Sequence, residues 1–214
     1  MKNYLWLILL LGFMLTSGTA LAQTASYEVR DGIEIGFTTP PVPWQVSKEP
    51  PDFLVQERAA HLHPPQLEAA RKAGIDSPAE AARQMLKADE LFLYNPKSGA
   101  HLIIDFSPLR EGEKPPKART LKTSARYAGE DLKGEEGVTD VSSRVSKARI
   151  SGAKAAYRVD ADFRSHGEAT RFVGIITFAL NHWVYLYYTG PQPGPEDLAV
   201  VNQILESLTI AAKQ

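Results

Sequence analysis

The chain has 214 residues, no cysteine, 24 basic against 25 acidic residues, and a hydrophobic fraction of 43%. Disulfides, thiol catalysis and thiolate metal centres are excluded, and no excess of positive charge exists for nucleic acid or an anionic membrane surface. The apolar fraction suffices to fill a core, so stability must come from packing.

Lys2, the apolar run Leu5 to Leu15 and the Ala20-Leu21-Ala22 site before Gln23 read as a secretory signal peptide cleaved after Ala22. The run is short for a membrane span, no comparable run follows, and no cysteine stands at the cleavage site to take a lipid. A periplasmic or secreted protein without membrane insertion is expected. Losing Lys2 takes the formal charge from −1 to −2. Residues 23–214 are long enough for one good core and are read as a single domain.

Tyr27 to Thr38 reads as a hairpin about an Asp31-Gly32 turn. Pro40, Pro41 and Pro43 impose an extended path before a strand beginning at Trp44-Gln45-Val46. Phe53 to Ala60 (FLVQERAA) is a further strand candidate. Pro65 to Ala73 and Pro78 to Ala88 read as short helices, the second with Ser77 as cap and Glu80 completing a capping box. Leu91 to Tyr94 and His101 to Phe106 are strands about an Asn95-Pro96-Lys97-Ser98-Gly99 turn. Arg110 to Lys117 is a charged loop suited to mobility. A helix over Ala118 to Leu132 follows, ended by Gly134 and Gly137. Val138 to Ile150 alternates weakly, and Gly152 to Phe163 reads as a strand.

Glu168 to Pro191 is the organising stretch, two strands rich in β-branched and aromatic residues about Ala179-Leu180-Asn181-His182. Trp183, Tyr185 and Tyr187 share one face, and Val184, Leu186 and Tyr188 the other. A strand apolar on both faces is covered on both. Pro195 to Leu208 closes the chain as an amphipathic helix. Short connections imply a largely antiparallel sheet, and helices on both faces make an α+β fold of α/β/α sandwich type.

FTTPPVPWQV is similar to the strand-Pro-Trp opening of Mog1/PsbP-like domains, including their DcrB-type periplasmic branch. GAKAAYRVDADF, RFVGIITFALNHWVYLYYTG and EDLAVVNQILESLTI resemble the C-terminal half of that fold. The resemblance implies a non-enzymatic accessory or binding protein. It carries over no site residue and no cofactor.

His61-Leu62-His63 is the best metal candidate. If extended, both imidazoles face one way, with a third ligand from His101, His166, His182 or a carboxylate; the same composition is ordinary for a loop. Asp160 and Asp162 share a strand face, for acid/base or calcium work or for plain pairing with Arg158 and Arg164 on a wet face. Trp183, Tyr185 and Tyr187 could form a ligand wall, or pack under helices. No nucleophile elbow, H-E-x-x-H, phosphate loop or dinucleotide fingerprint is present, and Ser207 is read as part of the last helix. The expected role is an envelope interaction protein docking a second protein near Gln66 to Lys87 or Arg110 to Lys117. The alternative is a periplasmic small-ligand or metal-binding protein.

Overall fold

The computed structural model describes residues 23–30, 32–191 and 194–213. The signal-peptide reading of residues 1–22 and the turn residue Asp31 lie outside them. In chain order the elements are β1 (Thr24–Glu28), β2 (Ile33–Thr38), β3 (Gln45–Ser47), α1 (Asp52–Ala60), α2 (Pro64–Lys72), α3 (Pro78–Leu86), β4 (Leu91–Tyr94) and β5 (His101–Pro108). Then come α4 (Ala118–Glu130) with a 3₁₀ turn over Asp131–Gly134, β6 (Val138–Ala148), β7 (Ala156–Ser165), β8 (Glu168–Ala179), β9 (His182–Pro191), α5 (Pro195–Ser207) and β10 (Thr209–Ala212).

Seven strands pair in the order β3-β4-β5-β9-β8-β7-β6, every neighbour antiparallel. β9 lies between β5 and β8, buried on one face and half-buried on the other. Val184, Leu186 and Tyr188 join the main core with Leu102, Ile104, Val173 and Ile175, closed by Val201, Ile204 and Leu205 of α5 and by the small sheet. That small sheet has the order β1-β2-β10. One cover of the sandwich is therefore a helix plus a sheet, not helices alone. On the opposite face α1 and α3 pack Leu54, Val55, Ala82 and Leu86 over Phe92 and Ile103. Beside them, α4 packs Leu121 and Ala125 over Tyr157 and Ile176. Gly129 brings α4 close to the sheet: a Cβ there would lie 2.8 Å from that of Ser143.

The β8–β9 turn is tighter than four residues. Leu180 and Asn181 both take positive φ, 48° and 62°, while Ala179 and His182 pair across the end. This two-residue form suits the strand twist. Ala156 to Ser165 and Val138 to Ala148 form β7 and β6, with a bulge between Thr139 and Ser142.

Two expectations change. Phe53 to Ala60 is helical, not extended. Pro51 supplies an extended cap residue, Asp52 puts an acid in the first turn, and Gln-Glu-Arg-Ala-Ala are good helix formers. The periodicity misleads because Phe53, Leu54 and Val55 are consecutive. The chain also does not stop at its last helix. Leu208 turns it back into β10, which pairs with β2. Ser207 belongs to this junction, accepting a hydrogen bond from Thr38 N at 2.8 Å and donating to Gln203 O.

Tyr188 sets a specific test. Its side chain is fully buried, and its hydroxyl finds no hydrogen-bond partner. Burial, with the Asp197 carboxylate adding, pushes it up to about 12. A buried polar group without a partner costs stability, so Tyr188→Phe is expected to leave the midpoint of urea unfolding unchanged or raise stability by up to about 1 kcal/mol. A loss above that size would mean that the hydroxyl is bonded.

Candidate functional site

Between the α1–α3 layer and α4, the middle of the large sheet is left partly uncovered. The uncovered line follows the odd-numbered residues of β9, Trp183, Tyr185, Tyr187 and Thr189, all half-buried. The three predicted wall residues do share one face, but they divide. Trp183 stacks on Tyr185 (centroids 6.0 Å, planes 5° apart) and meets Phe178 edge-on, and both rings pack beside α4. Trp183 Nε1 donates to Glu113 Oε1 at 3.3 Å, while Arg110 N donates to Glu113 Oε2. The charged loop is thereby tied to β9. Tyr187 lines a cavity on the other side of the seam.

That cavity, about 420 Å³, lies under α1 and the end of α3. Leu54, Leu86, Met85 and Ile103 make its apolar lining; Glu57, Arg58, His61, His101, Asp89 and Tyr187 are its polar groups. It opens into two neighbouring hollows. One shares Glu57 and His101 and adds His166, Glu168 and Thr189. The other shares Arg58 and His61 and adds His63, Glu135, Glu136 and His166. Together they form one groove from α3 to the β7–β8 turn. Four of the five histidines of the chain, His61, His63, His101 and His166, line it.

The backbone explains how each arrives. His61 is the C-cap of α1 and His63 the N-cap of α2, where His63 N donates to Gln66 Oε1 at 2.8 Å. They close one helix and open the next, so the extended geometry that would pair their imidazoles is absent. No group of three or more His, Asp or Glu side chains is placed to hold a metal among the described residues. His166 sits in the β7–β8 turn with φ 50°, its N donating to Gly137 O at 2.8 Å. Gly137 has φ 74°, and its Cα lies against the imidazole where a Cβ has no room. This contact fixes the Glu135–Glu136 rim of the groove.

Asp89 is the group the sequence did not flag. It follows α3, and Tyr187 Oη donates to its Oδ1 at 3.3 Å. Burial pushes Asp89 up to about 7, the Asp105 carboxylate adds to the rise, and the Tyr187 hydrogen bond opposes it. Burial, followed by Asp89, moves Tyr187 well above the ordinary phenol range. Asp105, on the same face of β5 as His101 and Ile103, is also raised by burial, against a 3.0 Å hydrogen bond from Ser107. Nothing in the word Asp89-Glu90 marks burial, and the hydrogen-bond partner Tyr187 lies ninety-eight positions away.

Asp160 and Asp162 lie on the opposite face of the sheet and take no part in the groove. Asp160 is buried, not wet, and Arg158 holds it with three contacts of 2.8–3.0 Å. Arg171 bonds Asp162 at 2.9 Å, and Arg164 turns instead to Asp140 at 3.6 Å. Charge pairing is their observed role.

No family model matches the sequence, and no curated protein matches it. Solved structures do. The solution structure of cyanobacterial PsbP (CyanoP) from Synechocystis superposes with a TM-score of 0.50 at 8% identity, covering 91% of this chain and 96% of that one. LpqN of Mycobacterium tuberculosis, described as involved in cell envelope biogenesis, gives a TM-score of 0.50 at 13% identity, covering 88% and 91%. At such identities the likeness is one of fold, and the chain has a PsbP-like α+β fold.

The raised Asp89 predicts a pH dependence. The folded protein keeps this proton where the unfolded chain has lost it, so stability falls as pH rises from about 4, the ordinary carboxyl value, towards about 7. Above that the whole penalty remains. Asp89→Asn removes it. The variant is expected to be more stable than the parent at pH 8 by about 2 kcal/mol, a figure discounted for the open mouth of the cavity, and equal to it near pH 4. Urea unfolding at pH 4, 6 and 8 checks this; parallel pH profiles for the two proteins would refute it.

Proposed function

We propose that this protein is an exported, non-enzymatic accessory protein of the bacterial envelope, and that it holds a second protein in the groove along β9. The observation that carries this reading is the groove itself. A long, open valley floored by a sheet and walled by α1–α2 on one side and the Glu135–Glu136 rim on the other suits an extended segment better than an enclosed metabolite. Of the two segments expected from sequence to carry the docking surface, Gln66 to Lys87 supplies part of that wall through Gln66 and Met85, and Arg110 to Lys117 does not line it.

The non-enzymatic part rests on the sequence, which has no nucleophile elbow, phosphate loop or zinc-peptidase motif. Export rests on the signal-peptide pattern of residues 1–22. The description of LpqN as an envelope-biogenesis protein supports the placement. No helix among the described residues is long and apolar enough to cross a membrane. A second reading, a periplasmic small-ligand protein using Tyr187, is favoured by the 420 Å³ size of the cavity.

The test places a photoreactive amino acid in the native host at Glu57 or Glu136 in the groove, and at Lys122 on the outer face of α4 as control. The groove positions are expected to form an adduct with one envelope protein, and Lys122 none. Equal labelling from all three positions, or none, rejects the groove as the docking site. The mass of the protein from the envelope fraction is expected to match residues 23–214; a full-length chain confined to the cytosol rejects export.

A further inference from the structure

Building on that reading, we propose that the deep end of the groove receives the cationic end of an arginine or lysine side chain from a basic, extended segment of the partner, with Asp89 as counter-ion and Tyr187 as the orienting group.

The cavity is built for such a group. Its floor carries a carboxylate whose Oδ1 is held by Tyr187 Oη at 3.3 Å, while Oδ2 accepts no hydrogen bond among the described residues. Leu54, Leu86 and Ile103 offer an apolar sleeve, matching a side chain with a hydrocarbon stem and a charged tip. At 420 Å³ it falls in the usual range for a recognition pocket.

Charge points the same way. The groove collects Asp89, Glu57, Glu135, Glu136 and Glu168 against the single cation Arg58 and the histidines, in a chain whose totals are 24 basic and 25 acidic. The excess is local and follows the groove, so a segment with several basic residues would be steered into it. A metal is the poorer occupant, because no three donors converge among the described residues.

Binding is coupled to a proton. Asp105 and Glu90 face Asp89 and favour its neutral form, as burial does; Arg58 and the Tyr187 hydrogen bond favour the carboxylate. Glu57 and His61 from α1 and His101 from β5 line the same cavity. An incoming cation sides with the second pair and drives the proton off. Affinity must therefore rise with pH across the value near 7.

The experiment titrates the purified protein with amidated tri-arginine, followed by ¹⁵N NMR and calorimetry. Shifts are expected at Ile103, Asp89 and Tyr187, with affinity about tenfold weaker at pH 6 than at pH 8, the change in ionised fraction about a value of 7. Asp89→Asn is expected to weaken binding at pH 8 by about tenfold, and Arg58→Gln, which removes the resident cation, to strengthen it severalfold. Asp89→Asn keeps an acceptor for Tyr187, so folding is not at stake.

Three outcomes overturn the proposal: shifts outside the groove that Asp89→Asn leaves intact, spermidine binding as tightly as the peptide, or zinc perturbing the groove when tri-arginine does not. A groove-specific photoadduct combined with no tri-arginine binding rejects the basic anchor and keeps the partner. Tri-arginine binding without any photoadduct rejects the partner-protein reading.

Discussion

The structure depends on the covering of β9, complete on one face and partial on the other. A strand with Val184, Leu186 and Tyr188 on one face and Trp183, Tyr185 and Tyr187 on the other calls for cover on both. On the first face the demand is met completely, by α5 and the small sheet. On the second it is met by two separate groups of helices, α1 with α3 and α4 with its 3₁₀ turn, which do not meet over the middle. The groove is the seam between these covers. Its floor is aromatic because β9 is aromatic, and its walls are polar because they are the outward margins of amphipathic helices. The site thus follows from the way the core is closed.

That origin explains how far the sequence could be read. β-Branched and aromatic runs, the Ser77-Pro78 helix start and the Asn181 turn are local signals, and the elements they mark lie within a few residues of where they were placed. The α+β class and the antiparallel sheet follow from them. FLVQERAA failed because three consecutive apolar residues fit a strand or a helix, and the helix is decided by Pro51, Asp52 and burial against α3. β10 failed because four residues after a helix carry no pattern of their own; its partner is β2.

The site was less legible than the fold, for a physical reason. Tyr187 was visible as one of an aromatic set, but its separation from Trp183 and Tyr185 depends on where α4 ends and α1 begins. His61 and His63 were visible as a pair, but Pro64 starts a new helix between them and their expected shared face. Asp89 was not visible at all. Its character is conferred by burial, with Asp105 adding and Tyr187 opposing, and a carboxylate beside an apolar strand is usually a solvated one. What defines the groove is contact across the chain, which composition and spacing do not encode.

The small sheet carries a further consequence. β2 lies between β1 and β10, pairing Gly36 with Thr209, and Lys213 N donates to Gly32 O at 2.6 Å while Lys213 Nζ bonds Glu28. The strands that close one cover of the core come from opposite ends of the described chain. During synthesis, β1 and β2 lack their third strand until Thr209–Ala212 arrive. The α5 face of β9 lacks its full cover for the same interval, so closure of this core depends on the last strand of the described chain.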